Sequence, residues 1–172
     1  MDKHESRLLR PACIRQIADI NPRMTRVVLS GEAVAHFADA LPGAWVKLFF
    51  TPPGEAEGPG RAYTISSLNQ EAQTLSLDIV RHGSGPAMSW IKSARPGEIV
   101  RLAGPREGLA VEGVGSLLLF GDETAIPAIF AIIPTLAAHA TAHVILAFDD
   151  KQDYPPPPVC CTLSVTRLSP PV

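Results

Sequence analysis

The amino-acid order predicts a mixed β and α/β protein, a small antiparallel barrel followed by the opening of a parallel α/β unit. Short β-rich runs separated by Pro and Gly recur through the first hundred residues, as a small barrel requires. One of them, TLSLDIV, alternates strictly and puts Leu75, Leu77 and Ile79 on one face. Near Ser116 the pattern changes to a continuous apolar run, SLLLF, then a helix-like segment, then a second apolar run, HVILAF. That order is a β-α-β unit.

The elements follow in turn. Val27 and Leu29 share one face of RMTRVVLSG, which ends in a Ser-Gly turn. Trp45 to Phe50, WVKLFF, is a short strand closed by Pro52, Pro53 and Gly54. RAYTIS follows the loop TPPGEAEGPG, and TLSLDIV comes next. HGSGPAMSWIKSARPG then interrupts the strands with a Gly-rich turn and a short helix. Pro86 suits its first turn, where the missing N–H costs nothing, and Pro96 with Gly97 ends it. In RPGEIVRLAGP a Pro-Gly turn precedes another short strand, stopped by Gly104 and Pro105. SLLLF and HVILAF read as strands buried on both faces of a parallel sheet. GDETAIPAIFAIIPTLAAHA between them has helix composition, with Thr124 as its cap, and Pro134 kinks it or ends it early. The tail DDKQDYPPPPVCCTLSVTRLSPPV holds a rigid proline run and one candidate strand, Thr162 to Arg167.

Composition narrows the function. The chain has 172 residues, 46% of them apolar, enough for one ordinary domain or two small ones. A formal net charge of -2 leaves no basic excess to neutralise phosphates, which argues against a nucleic-acid partner. No apolar run has the length of a membrane span, and MDKHESRLLRPA lacks the apolar core of a signal peptide. The three cysteines, Cys13, Cys160 and Cys161, form no C-x-x-C pair, so neither a disulfide framework nor a zinc or iron–sulfur site is expected. A cytoplasmic protein without membrane insertion, a monomer by default, is the resulting expectation.

Three stretches could carry chemistry. HGSGP leads into a helix whose N-terminus offers unpaired N–H groups and partial positive charge, and its glycines would let a phosphate approach. A plain turn before a helix explains it equally well. In RAYTIS, Arg61 could clasp a phosphate, Tyr63 could lie on a ring system and Thr64 could hydrogen-bond a ring atom. Surface decoration of a strand is the competing reading, but a phosphate-type loop some twenty residues on suits a dinucleotide such as a flavin cofactor. GDETAIPAI is a turn between a buried strand and a helix, where nucleotides sit in open α/β sheets. It is not G-x-G-x-x-G, and Asp122 and Glu123 would repel a phosphate directly above them, or simply favour the helix dipole. Of the histidines only His82, next to the Gly loop, is placed to face a ligand, and a structural hydrogen bond to backbone would explain it as well.

Taken in order, R-x-Y-T, then D-I-V-R-H-G-x-G-P-A with a Trp soon after, then P-G-E…A-G-P-R, then L-L-L-F-G-D-E-T-A-I-P-A-I resembles the siderophore-interacting proteins. These are ferric-siderophore reductases of the ferredoxin–NADP reductase superfamily, and the likeness runs over about residues 11 to 150. It implies a six-stranded antiparallel FAD-binding barrel, expected over 8–112, and an incomplete Rossmann-like nicotinamide-binding domain over 116–172. By the resemblance, Arg61 holds the FAD phosphates, Tyr63 packs on the isoalloxazine ring and Thr64 reaches its reactive nitrogen. Ala62, Ser66 and Asp78 lie in the matched motifs and are counted with the cofactor contacts. His82, Gly83, Gly85, Pro86 and Ala87 form the loop and helix start around the pyrophosphate. Gly121, Asp122, Glu123 and Thr124 border the NADPH or NADH site, with Pro127 closing the turn.

The sequence departs from the family in three places. Ser66 stands where a second Arg is usual, and Met88 stands where a small hydroxyl residue often follows G-P-A. The family's further strands and its C-terminal Y-W-R-like segment have no match. The implied reaction runs from NAD(P)H through FAD to Fe(III) in a siderophore, with no protein residue as acid or base. The flavin does the chemistry and the chain positions it. The alternatives are a flavin-dependent reductase with another acceptor (free flavin, a quinone or a ferredoxin), or a shortened FAD-binding module without full reductase activity.

Overall fold

A computed structural model describes residues 8–51, 54–56, 58–148 and 161–168. Six strands close an antiparallel barrel: β1 (Arg10–Asn21), β2 (Met24–Ser30), β3 (Trp45–Phe49), β4 (Arg61–Asn69), β5 (Thr74–Val80) and β6 (Ile99–Arg106). Their order around the barrel is β1-β2-β5-β4-β3-β6. The alternation in TLSLDIV sends Leu75, Leu77 and Ile79 fully inside, where they meet Ile14, Val27 and Leu48. A short 3-10 helix over Glu32–Phe37 adds Val34 and Phe37 to the same core. Helix α1 (Pro86–Ser93) starts after the glycine loop, with Pro86 in its first turn as expected. Its Trp90 stacks on Phe50, ring centroids 5.1 Å apart, and Ile91 enters the barrel core. Both contacts fix α1 against the barrel.

The second unit comprises β7 (Ser116–Asp122), α2 (Ile126–Ile132), β8 (Thr141–Ala147) and β9 (Thr162–Leu168). The strands form a parallel sheet in the order β7-β8-β9. Thus the candidate strand in the tail forms, and Pro134 ends α2 early, in a 3-10 turn over Ile133–Thr135. α2 buries Ile126, Ile129 and Ile132 against Ala142, Val144 and Leu146. Met24 of β2 and Val80 of β5 join this cluster, so the two cores meet at the barrel wall.

The structure corrects four expectations. Strand β6 does not stop at Gly104 and Pro105 but runs on to Arg106. It packs closely on β3 there, and a Cβ at Gly104 would sit 3.2 Å from the Trp45 carbonyl oxygen. The sheet of the α/β unit is not buried on both faces. Leu118 and Phe120 are 59% and 75% exposed, and β8 alternates between buried and more exposed positions. An apolar run suits two covered faces, but among the described residues α2 and its 3-10 extension cover only one. The cap of the turn after β7 is Asp122, not Thr124: its Oδ1 accepts from the Thr124 N–H at 2.8 Å. The turn starts two residues earlier than the hydroxyl suggests, as a 3-10 turn over Glu123–Ala125. Finally, the strand Arg10–Asn21 was not singled out, yet it pairs with both β2 and β6 and closes the barrel.

Among the described residues, Cys13 and Cys161 are free thiols. Cys160, the proline run, Pro52 and Pro53 lie outside the described residues. No helix among the described residues is long and apolar enough to cross a membrane.

Candidate functional site at the junction of barrel and sheet

Antiparallel pairing of β4 with β5 sets the site. Ile65 lies opposite Leu77, so moving back along β4 and forward along β5 brings RAYT beside the end of TLSLDIV. A cavity of about 230 Å³ opens there. Ala62, Tyr63 and Thr64 line one wall and Asp78 and Val80 another; His82, Thr124 and Pro127 complete it. Residues quoted from three separate motifs thus share one space. A neighbouring cavity of about 320 Å³ shares His82 and Thr124 and adds Arg23, Asp122, Glu123 and Phe148. It lies where the end of β7 meets the β1–β2 turn.

Each side chain has a definable task. Tyr63 is half-buried against the barrel core. Burial pushes its phenol above the usual tyrosine value, opposed in part by the Arg61 charge. The phenol therefore stays neutral and apolar in character, suited to packing on a ring. Because its folded value exceeds the ordinary 10.0, its contribution to stability is present below that pH and is lost as pH rises through the folded value. An alkaline titration followed at 295 nm is expected to show a late component that Tyr63→Phe removes. A titration from which Tyr63→Phe removes no late component would contradict the burial.

Arg61 is exposed, and among the described residues its guanidinium makes no hydrogen bond or ion pair. Gly83 and Gly85 take φ of 61° and 146°, and a Cβ on either would meet nothing within 4 Å. The loop is therefore glycine for its backbone shape, and it borders open space. No acidic residue or capping side chain occupies the first turn of α1. A free cation, an open glycine loop and an uncapped helix start fit the phosphates of a dinucleotide.

Other predicted residues are held by the protein itself. The Ser66 hydroxyl donates to the Ser76 carbonyl at 3.0 Å, beside an irregularity between Ile65 and Ser67. Gly121 is a packing residue, since a Cβ there would collide with the Ala125 methyl. Asp122 also accepts from the Thr124 hydroxyl at 2.6 Å, and this bond holds its carboxyl below the ordinary value. Glu123 is bound by Arg23 at 2.6 Å, a link from the barrel to the second sheet. Asp78, only 9% exposed, takes a two-pronged grip from Arg26 at 2.7 and 2.8 Å. Ala87 is buried, and Pro86 occupies the start of α1. Sequence reading missed Arg23 and Arg26. Nothing in their local pattern marks them, because each is brought to its partner only by strand register or the approach of the two sheets.

A closed antiparallel barrel followed by a parallel α/β sheet, with a cleft at their junction, is the fold of the ferredoxin–NADP reductase class, and solved reductases of that class share it at 17% identity. The siderophore-interacting FAD-binding domain matches residues 13–59 and 51–109, and the siderophore-interacting protein region matches 114–169. The chain belongs to the siderophore-interacting protein family. The siderophore-interacting protein SipS from Aeromonas hydrophila superposes with a TM-score of 0.80 at 25% identity, covering 95% of this chain and 68% of that one. The ferric vibriobactin reductase ViuB of Vibrio cholerae is 29% identical over 155 residues, 78% of this chain and 56% of ViuB. The mycobactin import ATP-binding/permease protein IrtA of Mycobacterium tuberculosis is 30% identical over 148 residues, 83% of this chain. The chain thus spans about half the length of ViuB and 17% of IrtA.

Proposed function

We propose that this chain binds FAD and works in the reduction of ferric siderophores at the expense of NADPH or NADH. Residues 8–112 form the flavin-binding unit and 116–172 contribute to the nicotinamide side. The observation that carries this reading is the shared cavity, where Tyr63 and Thr64 of β4 face Thr124 and Pro127 from the loop after β7. A flavin ring and a nicotinamide need that juxtaposition.

When bound, FAD would supply the redox chemistry, which is hydride acceptance and single-electron transfer to Fe(III) in a siderophore. The chain binds and orients. Arg61 and the HGSGP loop would hold the phosphates. The neutral Tyr63 ring would shield the flavin from water, and the Thr64 hydroxyl would offer it a hydrogen bond. Asp122 stays ionised beside the nicotinamide entrance, with Thr124 as its donor, and keeps phosphate away from that end.

A second reading is favoured by the three-stranded sheet with one face open. It is a flavin-binding module that a nicotinamide does not reduce. Visible absorption of the FAD-loaded protein, before and after anaerobic NADPH, separates the two. Bleaching, and re-oxidation by a ferric siderophore, is the expected result. A yellow protein that does not bleach supports the second reading, and failure to take up FAD overturns both.

A further inference from the structure

We propose that Arg26 and Asp78 form a charge pair that sets the reduction potential of the bound flavin, with Arg26 the positioning residue that cancels the Asp78 carboxylate. This rests on the reading that FAD occupies the cavity between β4 and β5.

Among the described residues lining that cavity, Asp78 is the only carboxylate, and it is 9% exposed. One residue beyond the Ile65–Leu77 pair in each strand lie Thr64 and Asp78, the same two residues that line the cavity with Tyr63. Asp78 is therefore part of the wall where the ring edge is read to lie. A fixed negative charge in a poorly hydrated wall opposes the gain of negative charge beside it.

Arg26 stands opposite Asp78 in the β2–β5 register. Its Nε donates to Oδ1 at 2.7 Å and its Nη2 to Oδ2 at 2.8 Å, a planar two-bond fit that a lysine could not reproduce. The guanidinium is 43% exposed and does not line the cavity. The arrangement is asymmetric, with the anion at the cavity wall and the cation behind it toward solvent. Removing the anion should favour reduction, and removing the cation should disfavour it. A pair that served folding alone would leave the potential unmoved.

The test is the flavin midpoint potential of FAD-loaded protein, with parent and variants titrated side by side at one pH. Asp78→Asn is expected to raise the potential and Arg26→Gln to lower it. Arg26→Lys keeps the charge and should stay near the parent. The double variant R26Q/D78N removes both charges and should lie between the single variants. Asp78→Asn is isosteric and leaves only the half-exposed Arg26 unpaired. With the double variant it decides the matter if Arg26→Gln does not fold. Unchanged potentials, shifts of the same sign, or a double variant equal to Asp78→Asn would each overturn the proposal. Loss of FAD uptake by the parent protein would instead overturn the reading of the cavity, so the two failures are distinguishable.

Discussion

Arg61→Ala is expected to weaken FAD binding by about 10- to 100-fold, since a hydrogen bond to a charged group contributes about 1.5–3 kcal/mol and about 1.4 kcal/mol is tenfold. The expectation comes from position and freedom together. Arg61 opens β4, the strand that also supplies Tyr63 and Thr64 to the cavity. Its guanidinium is exposed, without an ion pair among the described residues. No internal partner competes for it, so its loss should cost the fold little and the ligand much. Arg61→Lys should recover only part, because an ammonium lacks the planar fork. Quenching of FAD fluorescence by the apo-protein measures this directly. An unchanged dissociation constant would remove Arg61 from the phosphate site.

Gly85→Ala should have an effect of similar size by another route. Gly85 has φ 146° and ψ 178°, a region that residues with a Cβ occupy only at a cost of about 1–3 kcal/mol. The added methyl would touch nothing within 4 Å, so the penalty is one of backbone shape alone. Relieving it means rotating the peptide that opens α1, which would turn the helix N–H groups away from the position proposed for the phosphates. Weaker FAD binding and a lower urea midpoint are the expected pair of results. Gly83→Asn is the internal control. Its φ of 61° is the left-handed geometry that Asn tolerates, so it should bind FAD nearly as the parent does. Parent-like affinity in Gly85→Ala would show that the loop does not hold the cofactor in this shape.

Among the corrected strands, SLLLF shows where local pattern misleads. An apolar run identifies a strand, and SLLLF lies within β7. Whether both faces are covered depends on what else packs there, and five residues contain no record of it. Phe120 lies exposed because α2 takes the other side of the sheet. TLSLDIV shows the opposite error. Its alternation predicts one buried face, yet Ser76 and Asp78 on the second face are also buried. Neighbouring strands and the second unit cover them, and only Arg26 makes the burial of the Asp78 charge tolerable.

The candidate site divides in the same way. RAYT, HGSGP and GDET were legible because each carries a local requirement. A cation and a ring stand on one strand, glycines take left-handed backbone, and a polar turn joins a strand to a helix, although its cap is Asp122 and not the Thr124 that the sequence suggests. Their meeting in one cavity was legible only through the resemblance, because the distance between motifs is a property of the barrel. Ser66 and Gly121 belonged to the same motifs, but tertiary contacts assign them to a cross-strand hydrogen bond and to packing on Ala125.

By itself, then, the sequence determined what short-range chemistry can determine: the strands other than β1 with turn residues between them, the helix start at Pro86, an interruption of the helical segment at Pro134 as either a kink or an early end, and the family. The tertiary structure decided which side chains are free to bind a ligand and which are already held. Arg61 is left open while Arg23, Arg26, Glu123 and Asp78 find one another. The physical reason is register. Residues 52 apart in Arg26–Asp78 and 100 apart in Arg23–Glu123 come within hydrogen-bond distance only after the barrel has closed and the second sheet has docked on it.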